Sequence, residues 1–338
     1  MALLLVEGWD EYATDDEVVQ AGWNGSTTSI VSSASPARTG RSLRLSLNGD
    51  PCTKALDATS SATVVVGFAV YIAGSTGTQD LLRLQDAGTE QINMEWAGTE
   101  LTVKRGTTTL LTTSGLGLTG STWYYVELVA TINNSTGSVE IFVDGISRGS
   151  ATGIDTQQTA NAQITEISLI GASIIIPYFD DLYVLDNSGS NNTSRLGPIA
   201  VETVFPNADG TTNNWTPQGA GSNYVEVDDN GPGADDDTTY VSSSTASDKD
   251  LYGFAALTGS IGTIHGVAVS ARVRAEDAGF RTLRTVARSS ATEVESASKG
   301  LGVSYKAISH IYETDPNGGG AWTESSVNAA EFGIKIQD

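Results

Sequence analysis

Paired acidic residues are the first groups in this chain that could do chemistry. Glu226 and Asp228 in "VEVDD", and Glu293 and Glu295 in "TEVES", stand two residues apart. On a β-strand that spacing turns both carboxyls to one face. Glycoside hydrolysis uses such a pair as acid and as nucleophile or base. Neither pair has the apolar surroundings that push one carboxyl up into the acid role, so both read as solvated strand residues. A second acidic set could ligate calcium, which needs only oxygen donors. It comprises Asp180 with Asp181, and Asp228, Asp229, Asp235, Asp236 and Asp237. Neither group has EF-hand spacing, and solvated acidic loops explain both without a metal. Calcium is therefore the one cofactor the sequence leaves open, with Asp180, Asp181, Asp235 and Asp237 as its candidate ligands.

Other reactive side chains are few. There is one cysteine, Cys52, and there are two histidines, His265 and His310. These counts exclude an intramolecular disulfide, a cysteine cluster and the usual zinc sites. Each histidine lacks an identifiable Asp or Ser partner and reads as structural; Cys52 reads as a small buried hydrophobe. The Gly-rich "GSTGTQ" and "GLGLTG" have no phosphate-loop lysine and no following helix, which excludes a nucleotide site there. No catalytic residue and no cofactor-binding residue is predicted. Of six tryptophans, Trp123 is assigned to the core. Trp215 and Trp322 lie in Gly- and Asn-rich loops and are the surface aromatics able to stack on sugars.

The elements that must position these groups are strands. Hydrophobic residues make up 39% of 338 and charged residues 17%, with much of the rest Gly, Ser and Thr, a composition that favours strands and turns. Period-2 alternation recurs in "SLRLSL", "DLLRLQD", "INMEWAG", "ELTVKRG", "TWYYVELVATI" and "QITEISLIGA", with Gly, Asn, Asp and Ser between. "GSVEIFVDGISRG" is a strand, an Asp-Gly turn and a return strand. The polar "DNSGSNNTSRLG" marks a boundary, so residues 1–198 form one unit and 199–338 another. In the second, "IAVETVFP", "NYVEVDD", "TTYVSSS", "GVAVSARVRA", "RTLRTVARS", "LGVSYKAI" and "EFGIKIQ" read as strands, and Lys249–Ala256 as a short helix. The prediction is an all-β protein of two β-sandwich, jelly-roll-like domains.

A formal charge of -22 repels phosphate backbones and anionic lipid, so nucleic acid is not an expected partner. No apolar run reaches membrane-span length, so no membrane insertion is expected. The opening "MALLLVEGWDEY" is too short and lacks the basic flank of a signal peptide, and reads as a first strand.

"GSTWYYVELVATI", "GSVEIFVDGISRG" and "PYFDDLYVLD" occur in the order and spacing of laminin-G and concanavalin-A-like domains. The likeness runs from Leu3 to Asp186. It implies a concanavalin-A-like sandwich for residues 1–198, in which Asp180 and Asp181 hold a strand position. Enzymes of that architecture carry Glu-x-Asp-x-x-Glu on one strand; "VEVDD" lacks the last Glu and sits in the other half. The whole chain also resembles tailed-bacteriophage virion proteins, through "NADGTTNNWTPQGAGSNYVEVDD", "DDDTTYV" and "HIYETDPNGGGAWTESSVNAAEFGIKI". That resemblance implies a non-enzymatic virion structural protein, in the tail or as a capsid decoration. Its implied partners are other virion proteins, further copies of itself (a homo-oligomer, such as a trimer) and host surface glycan. The alternatives are a glycan-degrading enzyme on the same scaffold and a bacterial surface adhesion module.

Overall fold

In a computed structural model, residues 2–25, 29–32, 36–56, 61–74, 77–229, 233–259 and 261–337 are described, and they form a nearly all-β structure. The chain divides into two compact units, Met1–Val201 and Glu202–Asp338.

The first unit contains β1 (Leu3–Glu7), α1 (Asp15–Gln20), β2 (Trp23–Asn24), β3 (Ser29–Ser32), β4 (Ser42–Leu45), β5 (Pro51–Ala55), β6 (Thr63–Ala73) and β7 (Thr78–Asp86). It continues with β8 (Thr89–Ala97), β9 (Glu100–Arg105), β10 (Thr108–Thr112), β11 (Trp123–Thr131), β12 (Gly137–Val143), β13 (Ile146–Ile154), β14 (Glu166–Ile170) and β15 (Ile176–Asp186). These strands make two antiparallel sheets. An eight-stranded sheet runs β13-β12-β11-β6-β15-β4-β3, with β1 also on β15, and a seven-stranded sheet runs β10-β9-β8-β7-β14-β5-β2. The unit is a β-sandwich, as its alternating sequence requires. Val64, Val66, Phe68 and Val70 of β6 share one apolar cluster with Leu82, Leu84, Ile92, Met94, Leu101 and Val103 of the other sheet. Each such side chain contributes about 1.5–3 kcal/mol when fully buried.

The hairpin β12–β13 follows its sequence. Val139, Ile141 and Val143 are buried, and the turn places Asp144 at φ 51° and Gly145 at φ 79°. The helix α1 was not anticipated. Thr14 caps it and Glu17 reaches back to the backbone of Thr14, a capping box written in the sequence as Thr-Asp-Asp-Glu.

The outer face of the eight-stranded sheet is closed by the segment 195–201. Glu127 on β11 is wholly buried. Its Oε2 lies 2.7 Å from Arg195 Nη1, and its Oε1 accepts from Gly197 N at 2.9 Å. Leu196 N donates to the Tyr183 hydroxyl at 3.1 Å, and Val201 N to Asp181 Oδ1 at 2.7 Å. Gly67 on β6 has to be glycine, since a Cβ there would run into the Tyr183 ring.

The second unit contains β16 (Pro206–Asn213), β17 (Thr216–Pro217), β18 (Val241–Ser242), β19 (Lys249–Phe254), β20 (Val267–Val273), β21 (Thr282–Ser289), β22 (Thr292–Glu295), β23 (Lys299–Gly300), β24 (Lys306–Tyr312), α2 (Glu324–Asn328) and β25 (Glu331–Ile336). One sheet runs β16-β19-β25-β21-β22, with β23 on β21, and two ribbons pair β17 with β18 and β20 with β24. Three expectations are corrected here. Residues 249–254 are strand rather than helix, because Lys249, Asp250, Leu251 and Tyr252 pair in succession with β25, with Leu251 buried. Residues 199–205 form no strand, since this segment instead docks on Asp181 and Arg38 through Val201 and Ile199. Asn223–Glu226 is a 3-10 turn rather than strand. There the Asn223 side chain donates to Trp215 O and Asp250 Oδ2, and Glu226 accepts from Gly219 N and Gly221 N. Side-chain bonds to nearby backbone displace ladder pairing.

Arg195→Ala would leave Glu127 buried without its cation. It is expected to cost about 3 kcal/mol, read as an earlier denaturant midpoint for the first unit with an unchanged slope.

Candidate functional site

Strands β7, β8 and β9 carry charged and polar side chains on their outer side, with Asp80, Arg83, Glu90 and Lys104 partly exposed and Asn93, Glu95 and Thr102 buried. Their inward residues, Leu82, Leu84, Ile92, Met94, Leu101 and Val103, lie in the core, so their alternates face outward. Asp80 and Arg83 are three apart and would point to opposite faces of a regular strand. A register irregularity between Asp80 and Leu82 lets both Leu81 and Leu82 bury fully and returns Asp80 and Arg83 to the outer side. Direct cross-strand partners then run in a row: Thr53, Ser168, Arg83, Asn93, Lys104. A second row holds Asp80, Glu95, Thr102 and Thr112. Five strands at about 4.8 Å spacing make the first row about 19 Å long.

These side chains bind one another. Arg83 Nη2 donates to Asp80 Oδ2 at 2.5 Å, and Arg83 Nε lies 3.2 Å from Glu90 Oε2. Lys104 Nζ lies 2.6 Å from Glu95 Oε2. The hydroxyls of Thr53 and Ser168 are hydrogen bonded at 2.6 Å, and those of Thr102 and Thr112 at 3.1 Å. Asn93 Nδ2 donates to Asp80 Oδ1 at 3.3 Å. Asn93 Oδ1, by contrast, is buried and receives no hydrogen bond among the described residues. Partial burial, helped by repulsion from Asp80 and Glu95 and opposed by Arg83, holds the Glu90 carboxyl above its ordinary range. Such a surface offers aligned donors and acceptors, and one carboxyl, that of Glu90, biased toward its acid form.

The residues singled out from sequence lie elsewhere. Asp180 and Asp181 sit at a bulge of β15 and are nearly inaccessible. Asp180 accepts from Arg38 N at 3.1 Å and Asp181 N at 2.8 Å, and Asp181 is paired with the Arg38 guanidinium. Burial, reinforced by the Asp181 charge, pushes Asp180 up to about 8, and burial also raises Asp181. Asp235 accepts from Thr239 N and Oγ1. Asp236 pairs with Arg272 at 2.7 Å; Asp237 pairs with Arg274 and accepts from the Tyr305 hydroxyl, both at 2.8 Å. The calcium candidates Asp180, Asp181, Asp235 and Asp237 are thus each held by protein donors, and among the described residues no group of three or more His, Cys, Asp or Glu is placed to hold a metal.

Trp322 is corrected as a surface aromatic. It is 3% exposed, donates Nε1 to Tyr312 O at 2.8 Å and packs on Phe332. Trp215 is half-buried against Leu283 and Ile336 with its Nε1 buried, so neither ring is a free platform. Glu293 pairs with Lys249 and Arg288, and Glu295 with Lys335 and Arg284. The His310 ring stacks on Tyr312, and burial lowers His265. Burial pushes the Cys52 thiol up to about 12, as suits an inert core residue. Ser75 and Thr76 of "GSTGTQ", and Asn230–Pro232 in the acidic loop, lie outside the described residues. Sequence reasoning missed Arg83, Asn93, Glu95 and Lys104; the available signal was the polar half of the alternation in "INMEWAG" and "ELTVKRG".

No protein family and no curated protein matches the chain by sequence. Solved structures match the sandwich. An alginate lyase, Aly36B, in complex with an alginate tetrasaccharide aligns at 15% identity and a TM-score of 0.38, over 54% of this chain and 96% of its own. An endo-β-1,4-glucuronan lyase from the fungus Trichoderma reesei aligns at 12% and 0.36, over 52% and 93%. Domain 4 of the arabinanase AbnA from Geobacillus stearothermophilus, in complex with arabinotriose, aligns at 14% and 0.33, over 48% and 76%. The expectation of a non-enzymatic protein is corrected by this finding: enzymes stand among the similar structures. At these identities and scores the likeness carries neither substrate nor reaction to this chain, and it does not bear on bacteriophage origin or virion location.

The raised Asp180 carboxyl has a consequence for stability. Its folded value of about 8 against an ordinary 3.8 means the folded state holds its proton more tightly than the unfolded. Its stabilising contribution is full below the ordinary value and is lost as pH rises through about 8. Asp180→Asn cannot ionise, so thermal unfolding measured across this window is expected to show a shallower loss of stability toward alkaline pH than in the wild type.

Proposed function

We propose that the first unit is a glycan-binding and glycan-acting sandwich domain whose site is the outer face of the seven-stranded sheet. The observation that carries this reading is the row Thr53–Ser168–Arg83–Asn93–Lys104, flanked by Asp80, Glu90 and Glu95. Sugars present vicinal hydroxyls that both donate and accept. A line of carboxylates, amide, hydroxyls and long cations on a rigid sheet matches that chemistry over several residues of an extended chain. The opposite sheet offers no comparable face, because segment 195–201 covers its centre.

For cleavage, Glu90 is the candidate acid, since its carboxyl is raised. Asp80 and Glu95 are the neighbouring carboxyls proposed for the second role that such cleavage needs. Arg83 touches both Asp80 and Glu90 and positions them. The glycan-bound similar structures agree with this reading without carrying it.

The test is a polysaccharide panel scored for binding by calorimetry and for cleavage by new reducing ends and unsaturated product. At least one polymer is expected to bind. Arg83→Ala is expected to weaken that binding about tenfold, equal to about 1.4 kcal/mol, without lowering the unfolding temperature. Glu90→Gln is expected to bind but not cleave. Absence of binding across the panel, or binding indifferent to Arg83, would contradict the proposal.

A further inference from the structure

We infer that the ligand of this face is an uncharged glycan, seated by a sugar hydroxyl that donates to Asn93 Oδ1. This rests on the reading of the face as a glycan site and names its substrate class.

Asn93 is 7% exposed, and its orientation is fixed because Nδ2 donates to Asp80 Oδ1, an acceptor that the opposite amide orientation could not satisfy. That leaves Oδ1 as a buried acceptor with no donor among the described residues. Buried acceptors left without a donor are costly and uncommon. The direct cross-strand neighbours of Asn93 on this face are Arg83 and Lys104. Their side chains are 29% and 28% exposed, so a ligand on this face meets both heads on either side of Asn93. The missing partner has to be a donor. A hydroxyl qualifies; an ionised carboxylate has no hydrogen to give.

Neutral and acidic glycans both carry hydroxyls, and charge distinguishes them. Both cations of the face are already neutralised, Arg83 by Asp80 and Glu90 and Lys104 by Glu95. With Asp80 and Glu95 set against Arg83 and Lys104 and Glu90 beside them, the patch offers no uncompensated positive charge, on a chain of formal charge -22. A uronic-acid polymer would meet repulsion here and would have to displace existing ion pairs to find a cation. A neutral chain meets neither obstacle, and Asp80 and Glu95 are ready acceptors for further hydroxyls.

The experiment compares neutral polymers (β-glucan, xylan, mannan, arabinan) with acidic ones (alginate, glucuronan, polygalacturonate) on the full chain, at low and high salt. A neutral glycan is expected to bind, with affinity changing less than about twofold with salt. Asn93→Ala is expected to weaken it about tenfold or more. Should that variant fail to fold, the wild-type preference and its salt response still decide. Preference for an acidic polymer, with affinity falling steeply as salt rises, would overturn the inference and leave the site standing. Neutral binding unaffected by Asn93→Ala would overturn the seat assigned to Asn93. Binding of neither class would overturn the proposed function, and this inference with it.

Discussion

Cross-strand register between β7, β8 and β9 is the constraint on which the first unit depends. Side chains alternate with a strict period of two, so a slip of one residue would exchange the two faces of a strand. In the observed register Met94, Ile92 and Val103 enter the common core, while Asn93 meets Arg83 on one side and Lys104 on the other. The apolar half of each strand is what holds this alignment. Burial of those side chains against the eight-stranded sheet fixes the pairing, and the polar row is its geometric by-product, positioned without strain in the row itself. The irregularity near Asp80 is the exception that proves useful: one extra buried leucine turns a would-be inward carboxylate outward.

The two sheets treat their outer faces differently. On the eight-stranded sheet, Glu127 and Asp181 are taken out of water and satisfied by Arg195, Arg38 and backbone donors of segment 195–201. Such a network is expensive to disturb, which suits a closure. On the seven-stranded sheet Asp80, Arg83, Glu90 and Lys104 stay partly exposed, where rearrangement of ion pairs is cheaper. Asymmetry of this kind leaves one face fixed and the other adaptable, and an adaptable polar face is what an exchanging ligand requires.

The fold was legible because its signals are local and repeated. "GSVEIFVDGISRG" reads as a strand, a tight turn and a return strand, and β12–β13 is that, with Asp144 and Gly145 both at positive φ. Lys249–Phe254 misled because a short run with Lys and Asp ahead of Leu-Tyr lacks periodicity long enough to separate helix from strand, and only β25 beside it decides. "NYVEVDD" misled because alternation alone cannot show that Asn223 and Glu226 are recruited by backbone groups outside the segment. The acidic pairs drew attention as reactive groups but are held by nearby arginines, lysines and backbone amides. Arg83, Asn93 and Lys104 are scattered over more than twenty residues, and only strand pairing brings them into line. Trp322 looked exposed from its Gly-rich neighbours, yet tertiary packing against Phe332 and Tyr312 gives it a core role.

Backbone amide hydrogen exchange of the wild-type chain, with and without a bound glycan, tests the central claim most directly. The account predicts that slowed exchange on binding concentrates in residues 80–104 and around Ser168, with segment 195–201 and residues 202–337 unchanged. Slowed exchange confined to segment 195–201 or to the second unit, with β7, β8 and β9 unaltered, would contradict it.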